Sequence, residues 1–222
     1  MTKPIIGVPI GDPAGIGPEI ALKSFLNKEL LKDTNFVLIG DESVLKHMID
    51  LYALPLTMNV ITTIKNADFS ENVVNVFHVG NIDMNKLEIG KVDAMCGQAA
   101  FDYIKHSVEL ADSGQIDAIA TTPINKESLK AAGVPFIGHT EIFASLSHTD
   151  DPLTMFEIEK LRVFFLSRHV SLKEAIEMVK QERLEDYIKR SIEALKRLGV
   201  EGTLAVAGLN PHSGEHGLFG RE

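Results

Sequence analysis

Short apolar segments alternate with helical patterns along most of this chain, and this alternation is the strongest constraint on its fold. Apolar runs such as Ile5–Ile10 and Phe36–Gly40 each lead through a polar turn into apolar residues at helical spacing. Two further runs, Leu153–Ile158 and Leu161–Leu166, are separated by a short polar turn, which predicts an antiparallel hairpin. The sequence therefore predicts an α/β fold with mostly parallel sheets and flanking helices.

The other predicted elements follow the same alternation. Further strands are predicted at Asn59–Ile64, Val73–Val79, Asp117–Thr121 and Thr203–Gly208, the last as a buried strand. Helices are predicted at Ile20–Leu31, from Asp41 as N-cap through Tyr52, within Gly90–Gly114, at Glu127–Ala132, at Ile142–Leu146, after Ser171 as N-cap, and at Arg183–Leu198. We place a domain boundary between residues 122 and 123, giving a first α/β domain at 1–122 and a second at 123–222.

Composition excludes some classes of partner. The 222 residues carry a formal charge of -9, which disfavours nucleic acid because phosphate binding needs a basic surface. Cys96 is the sole cysteine, so no internal disulfide is possible, and a reducing cytoplasm is the expected location. The N-terminus lacks the apolar stretch of a signal peptide, and no window reaches the length of a membrane span, so we expect no membrane partner.

Histidines follow two of the predicted strands. His169 comes shortly after Leu161–Leu166, and His212 follows Thr203–Gly208. Neutral imidazole binds zinc and cobalt well, and catalytic metal sites often take ligands from separate strand ends. Taken alone, either histidine fits a surface or capping role better than a metal site, and His216 competes with His212 on the same loop.

Two helix starts offer candidate anion sites. His139 and Thr140 follow Gly138, where free backbone N–H groups favour an anion, although Thr140 also fits a simple capping role. Lys126 follows the predicted strand Asp117–Thr121 and either holds a phosphate or carboxylate or is solvated. The glycine turn Gly11–Glu19 departs from the spacing of a dinucleotide fingerprint, so it is either a tight turn or a loop that lines a ligand cleft.

Four motifs, taken together, resemble one enzyme family. They are Gly11–Glu19 (GDPAGIGPE), Thr122–Lys126 (TPINK), Gly138–Glu141 (GHTE) and Gly208–Glu215 (GLNPHSGE). They occur in this order in 4-hydroxythreonine-4-phosphate dehydrogenases and in their relatives that act on 4-phospho-threonate or 4-phospho-erythronate. The first motif also resembles the start of isopropylmalate and isocitrate dehydrogenases, whose fold of two α/β domains around a cleft the family shares.

The resemblance implies a decarboxylating dehydrogenase. It implies oxidation of 4-phosphohydroxy-L-threonine to a β-keto acid, with NAD or NADP and a divalent metal (zinc, cobalt or magnesium). The β-keto acid then loses carbon dioxide and gives 3-amino-2-oxopropyl phosphate, an intermediate of pyridoxal phosphate synthesis. The alternative substrates are 4-phospho-D-threonate and 4-phospho-D-erythronate. Carried over by position, His169 and His212 match two of the family's three metal-binding histidines, and His139 and Thr140 match its substrate-binding pair.

The family pattern also sets an expectation about length and assembly. Family members continue beyond the fourth motif with roughly a further third, which completes the first domain and carries the third metal histidine. They are homodimers with a shared active site, and we expect residues 123–222 to include the dimerisation region. Two alternatives come from other classes: an α/β binding fragment without activity, and an acyl- or phospho-transfer enzyme that uses the same phosphate loop. The transfer enzyme lacks an evident nucleophile and base, which counts against it.

Overall fold

The computed structural model describes residues 3–222, which form two compact units. The N-terminal unit ends at Asp150 and the C-terminal unit spans Asp151–Glu222. The strands are β1 (Ile5–Pro9), β2 (Asn35–Gly40), β3 (Thr57–Ile61), β4 (Val73–His78), β5 (Ala118–Ile119), β6 (Met155–Ile158) and β7 (Leu161–Phe164). The helices are α1 (Gly17–Ser24), α2 (Lys28–Asp33), α3 (Glu42–Leu51), α4 (Ala94–Asp112), α5 (Lys126–Ala131), α6 (His139–Leu146), α7 (Leu172–Glu177) and α8 (Gln181–Arg197), with 3-10 turns at Ile64–Asn66 and Pro211–Gly217.

The N-terminal unit is built on a parallel sheet of five strands in the order β3-β4-β2-β1-β5. Val37, Leu38 and Ile39 of β2 are fully buried, as expected for a central strand that helices cover on both faces. β1 pairs with β2 on one side and with β5 on the other, so the strand order reverses beside β1. In open α/β sheets, ligands bind at the carboxyl ends of the strands flanking such a reversal.

A second apolar cluster attaches two short helices to the long one. Ile104 of α4, Leu129 of α5 and Ile142 of α6 are fully buried against one another. The compact N-terminal unit therefore extends to Asp150, beyond the boundary predicted between residues 122 and 123. The predicted α/β class with a mostly parallel sheet is confirmed.

The C-terminal unit contains the antiparallel hairpin that the sequence predicts, formed by β6 and β7. Ser171 caps α7 in a reciprocal capping box with Glu174. A polar cluster surrounds Asp151, whose carboxylate accepts hydrogen bonds from Tyr187 at 2.8 Å and from Arg190 at 3.2 Å. This cluster holds the start of the unit against α8.

Two sequence predictions of secondary structure are wrong. The predicted helix at Ile20–Leu31 is interrupted, because Asn27 takes an extended backbone conformation and accepts a hydrogen bond from the Glu29 N–H as the N-cap of α2. The predicted buried strand at Thr203–Gly208 is not a strand, and most of its residues are exposed. An apolar run forms a strand only when a neighbour accepts its backbone hydrogen bonds, and within the described residues this run has no such neighbour.

Candidate functional site

The loops that follow β1 and β5 meet at the reversal of the strand order. The Asp12 backbone N–H donates to the Pro123 carbonyl at 3.2 Å, and the Thr122 hydroxyl donates to the Pro9 carbonyl at 2.9 Å. The first two motifs of the sequence are therefore joined at one edge of the sheet. They enclose a cavity of about 200 Å³, whose lining residues are Asp12, Ala14, Gly15, Ile16, Gly90, Lys91, Pro123, Ile124 and Asn125.

Glycines allow this close approach. Gly11 has a φ of +72°, in the left-handed region, and a Cβ there would collide with the Pro123 carbonyl oxygen. A Cβ on Gly17, at the start of α1, would collide with the Ile10 carbonyl oxygen. The glycine turn is thus required by backbone packing, and residues of the turn also line the cavity. Its role as a loop that lines a ligand cleft stays a prediction.

Asp12 is a buried acid beneath this cavity. It is 3% exposed, and its Oδ1 accepts a hydrogen bond from the Ala14 N–H at 2.8 Å. Burial raises the pKa of Asp12 above its usual value, because desolvation outweighs the hydrogen bonds from Ala14 and Ser128. The sequence analysis did not single out Asp12 as a buried acid beside the candidate site. The signal that could have found it is its position directly after a strand.

The N-terminus of α6 carries the predicted substrate pair. Gly138 is the N-cap and provides no side chain to cap the first turn, which leaves N–H groups free for an anion. His139 and Thr140 open the helix. The Lys126 Cε would lie 3.8 Å from a Cβ on Gly138, so the lysine side chain passes close to this helix start. The Glu141 Oε2 would lie 3.7 Å from the same point, so the structure brings one cation and one carboxylate to the helix start that carries the pair.

The His139 ring is held with one nitrogen unused. It stacks on Phe143 with ring centroids 6.3 Å apart, and its buried Nε2 has no hydrogen-bond partner among the described residues. Burial lowers the pKa of His139, and a hydrogen bond to the Thr122 backbone only partly offsets this. The lowered pKa favours the neutral imidazole, and its buried Nε2 is left without a hydrogen-bond partner among the described residues. The contact with Thr122 depends on tertiary packing, which no sequence pattern signalled.

The two predicted metal histidines share an unusual backbone conformation. His169 has a φ of +53° and His212 a φ of +48°, both in the left-handed region, and both side chains are exposed. The left-handed conformation continues from His212 to His216, at a cost of roughly 1–2 kcal/mol for each residue other than glycine. Such conformations cluster at functional sites.

These histidines do not form a complete metal site in the structure. Among residues 3–222, no group of three or more histidine, cysteine, aspartate or glutamate side chains is close enough to hold a metal ion. Imidazole suits zinc or cobalt, but a catalytic zinc site needs three protein ligands. The donors brought together within these residues therefore do not fit a catalytic metal, and we assign no reaction step to one.

The sequence also matches a known protein family. Residues 32–222 match the family described as Pyridoxal phosphate biosynthetic protein PdxA. The chain belongs to this family. This confirms the resemblance that the four ordered motifs indicated.

Individual relatives refine the comparison. A Halalkalibacterium halodurans protein, named as a candidate D-threonate 4-phosphate dehydrogenase, is 54% identical over 99% of this chain and 66% of its own length. The solved structure of a 4-hydroxythreonine-4-phosphate dehydrogenase from Burkholderia phymatum is 34% identical, with a TM-score of 0.90 over 100% of this chain and 67% of that one. One from Klebsiella pneumoniae is 38% identical, with a TM-score of 0.89 over 99% and 66%. This chain thus spans about two thirds of the length of these relatives.

In the described part of the chain, 3–222, none of the helices combines the length and apolarity needed to cross a membrane.

Proposed function

We propose that this chain belongs to an NAD- or NADP-dependent, divalent-metal-dependent dehydrogenase that oxidises and decarboxylates a small hydroxy acid bearing a phosphate at its fourth carbon. The family membership supports a dehydrogenase of this type. The observation that carries the proposal is the helix start at Gly138, where free backbone N–H groups, Lys126 and the His139–Thr140 pair offer a site for the negative charge of such a substrate.

We propose 4-phospho-D-threonate as the preferred substrate. The relative that carries this substrate in its name is 54% identical, whereas the solved 4-hydroxythreonine-4-phosphate dehydrogenases are 34% and 38% identical. The alternative, 4-phosphohydroxy-L-threonine, carries an amino group instead of a hydroxyl at the second carbon. Its support is the family description, which names pyridoxal phosphate biosynthesis.

The proposed reaction needs a bound anion and a fixed secondary alcohol. A nicotinamide cofactor, when bound, would supply the acceptor for the hydride of the alcohol carbon, and loss of the hydroxyl proton to a base would complete the β-keto acid. The bond to the carboxylate then breaks, carbon dioxide leaves and the remaining carbon takes up a proton. In this scheme Lys126 and the α6 amides hold the anionic group, with His139 and Thr140 beside them at the helix start.

Reduced cofactor formed by the complete protein tests this proposal. We expect turnover of 4-phospho-D-threonate, with weaker or no turnover of 4-phosphohydroxy-L-threonine and 4-phospho-D-erythronate. Lys126→Met and Thr140→Val should each raise KM by about tenfold, because each removes a hydrogen bond to a charged group. Lys130→Met, on the same helix, is the matched control and should leave KM unchanged. Absence of turnover with all three substrates would reject the proposal.

A metal site that includes His169 and His212 is a separate part of the proposal. The support for these two residues is their match to the metal-binding histidines of the family motifs, because the left-handed backbone is shared with His216. His169→Ala and His212→Ala should each lower bound zinc or cobalt and reduce the metal-dependent rate by at least about a hundredfold. His216→Ala, on the same loop as His212, is the control. If both variants retain metal content and rate, these histidines are not ligands.

A second candidate function is a binding fragment without catalysis. It is favoured by the incomplete metal site within residues 3–222. Calorimetry of the 222-residue chain with 4-phospho-D-threonate separates the two: binding without turnover supports the fragment. We also propose a homodimer, which light scattering of the complete protein tests.

A further inference from the structure

A second cavity lies at the opposite edge of the parallel sheet from the Gly11–Glu19 and Thr122–Lys126 loops. It has a volume of about 400 Å³ and opens where β1, β2 and β4 begin. Its lining residues are Lys3, Phe25, Lys28, Leu31, Lys32, Thr34, Asn35, Phe36, Phe69, Ser70, Glu71, Asn72 and Val73. This volume falls in the range of small-molecule sites, roughly 300–1,000 Å³. The function proposed above makes no use of this cavity.

Aromatic side chains line one part of this amino-edge cavity. Phe25 is 5% exposed and meets Phe36 edge to face, with ring centroids 6.1 Å apart, which fixes both rings. Phe69 is 41% exposed and presents its ring to solvent at the same cavity. A fixed apolar floor beside an accessible ring suits a planar ligand, since aromatic pairs gain stability beyond the area they bury.

Three lysines supply most of the charged groups in the lining. Lys3, Lys28 and Lys32 contribute three cations against one carboxylate, that of Glu71. Lys28 pairs with Glu71 at 2.6 Å, with both side chains largely exposed, and the Lys3 ammonium donates to the Leu31 carbonyl at 2.8 Å. The cavity thus has a local positive excess in a chain whose formal charge is -9. A positive site on a negative protein selects anions.

We propose that this amino-edge cavity binds a small anion built on a single aromatic ring that carries a phosphate or a carboxylate. The ring lies against Phe36 and Phe69, and the anionic group lies between Lys28 and Lys32. Neither part suffices alone, because exposed lysines bind a lone phosphate weakly and the open apolar floor offers little area to a neutral ring.

Calorimetry and amide NMR of the 222-residue chain test this proposal with four probes. Phenyl phosphate and benzoate carry both ring and charge, inorganic phosphate carries charge alone, and benzyl alcohol carries the ring alone. We expect phenyl phosphate or benzoate to bind at least about tenfold more tightly than either single-feature probe. Comparison of the two ring anions identifies the preferred charged group. The amide shifts should centre on residues 28–36 and 69–73.

Variants locate the binding. Lys28→Gln combined with Lys32→Gln should weaken the better ring anion by about tenfold, and Phe69→Ala by about fivefold. Lys46→Gln, an exposed lysine on α3, is the matched control and should leave affinity unchanged. All four changes are at the surface, so each variant should remain folded. Three results would each overturn the proposal. They are equal affinity for inorganic phosphate and phenyl phosphate, amide shifts outside residues 28–36 and 69–73, and unchanged binding in the double variant.

Discussion

The two compact units use similar apolar sequence patterns with different results. In the N-terminal unit, Leu38 and its neighbours on β2 are fully buried between helices. In the C-terminal unit, Phe156 and Leu161 of the hairpin remain 60% and 63% exposed. Within Asp151–Glu222, only Tyr187, Ser191 and Gly214 are buried. The difference shows that an apolar run stabilises a fold only as far as its surroundings cover it.

The largest expected effect tests this contrast directly. Leu38→Ala should lower the free energy of unfolding by about 2–5 kcal/mol, because it removes buried methyl groups and leaves a cavity. Leu161→Ala, the same change on the exposed hairpin, should cost less than about 0.5 kcal/mol. Urea unfolding followed by circular dichroism measures both, and hydrogen exchange on peptides from each unit locates the loss. Similar costs for the two variants would show that the units do not differ as described.

The same contrast explains which parts of the fold the sequence predicts. The runs that became β1, β2 and β4 are short, apolar and bounded by turns, and each has neighbours in one sheet. Asp41 and Ser171 cap their helices as predicted, because capping depends on local chemistry. The run at Thr203–Gly208 has the same local pattern, but its state depends on pairing with another segment, which no local pattern encodes.

In the candidate site, too, the sequence predicts the features that local chemistry sets and not those that depend on tertiary packing. The motifs located the strand ends and the helix start at Gly138, because glycine, proline and capping residues mark turns locally. The contact of His139 with the Thr122 backbone and the approach of Lys126 to Gly138 depend on how α5 and α6 pack. The left-handed backbone at His169 and His212 has no sequence signal, since such conformations are imposed by surroundings.

A smaller effect concerns backbone packing at the reversal of the strand order. Gly17→Ala should cost about 1–3 kcal/mol, because its Cβ would meet the Ile10 carbonyl and force the first turn of α1 to shift. Gly114→Ala is the matched control: its φ is +68°, but no atom lies within 4 Å of the added Cβ. There the cost should be about 1 kcal/mol, from backbone conformation alone. If Gly114→Ala is the more harmful change, tight packing does not limit the first motif.

The smallest expected effects are pH-dependent changes in stability when a carboxylate is replaced by an amide. They should be opposite in sign for Asp151 in the C-terminal unit and Asp12 in the N-terminal unit. Burial pushes the pKa of Asp151 up, but the hydrogen bonds from Tyr187 and Arg183 outweigh it and hold the pKa below its ordinary value. A lowered folded pKa contributes stability above the unfolded value of about 3.9, and this stability is lost as the pH falls through the folded pKa. Asp151→Asn should therefore be less stable than the parent at pH 7. The difference in the free energy of unfolding should be less than about 1 kcal/mol, because the site is partly exposed. This difference should disappear as the pH falls below about 3.9.

Asp12 should behave in the opposite way. Desolvation raises its folded pKa, so the folded state keeps a proton that the unfolded chain loses above about pH 3.9. Stability is then lost as the pH rises through the folded pKa, and the ionised acid remains a cost at pH 7. Asp12→Asn keeps an oxygen to accept from the Ala14 N–H and removes this cost, so its advantage over the parent should grow from acid to neutral pH. Urea midpoints across this range measure both slopes. Parallel slopes for the two variants would mean that burial does not govern the acid beside the candidate site.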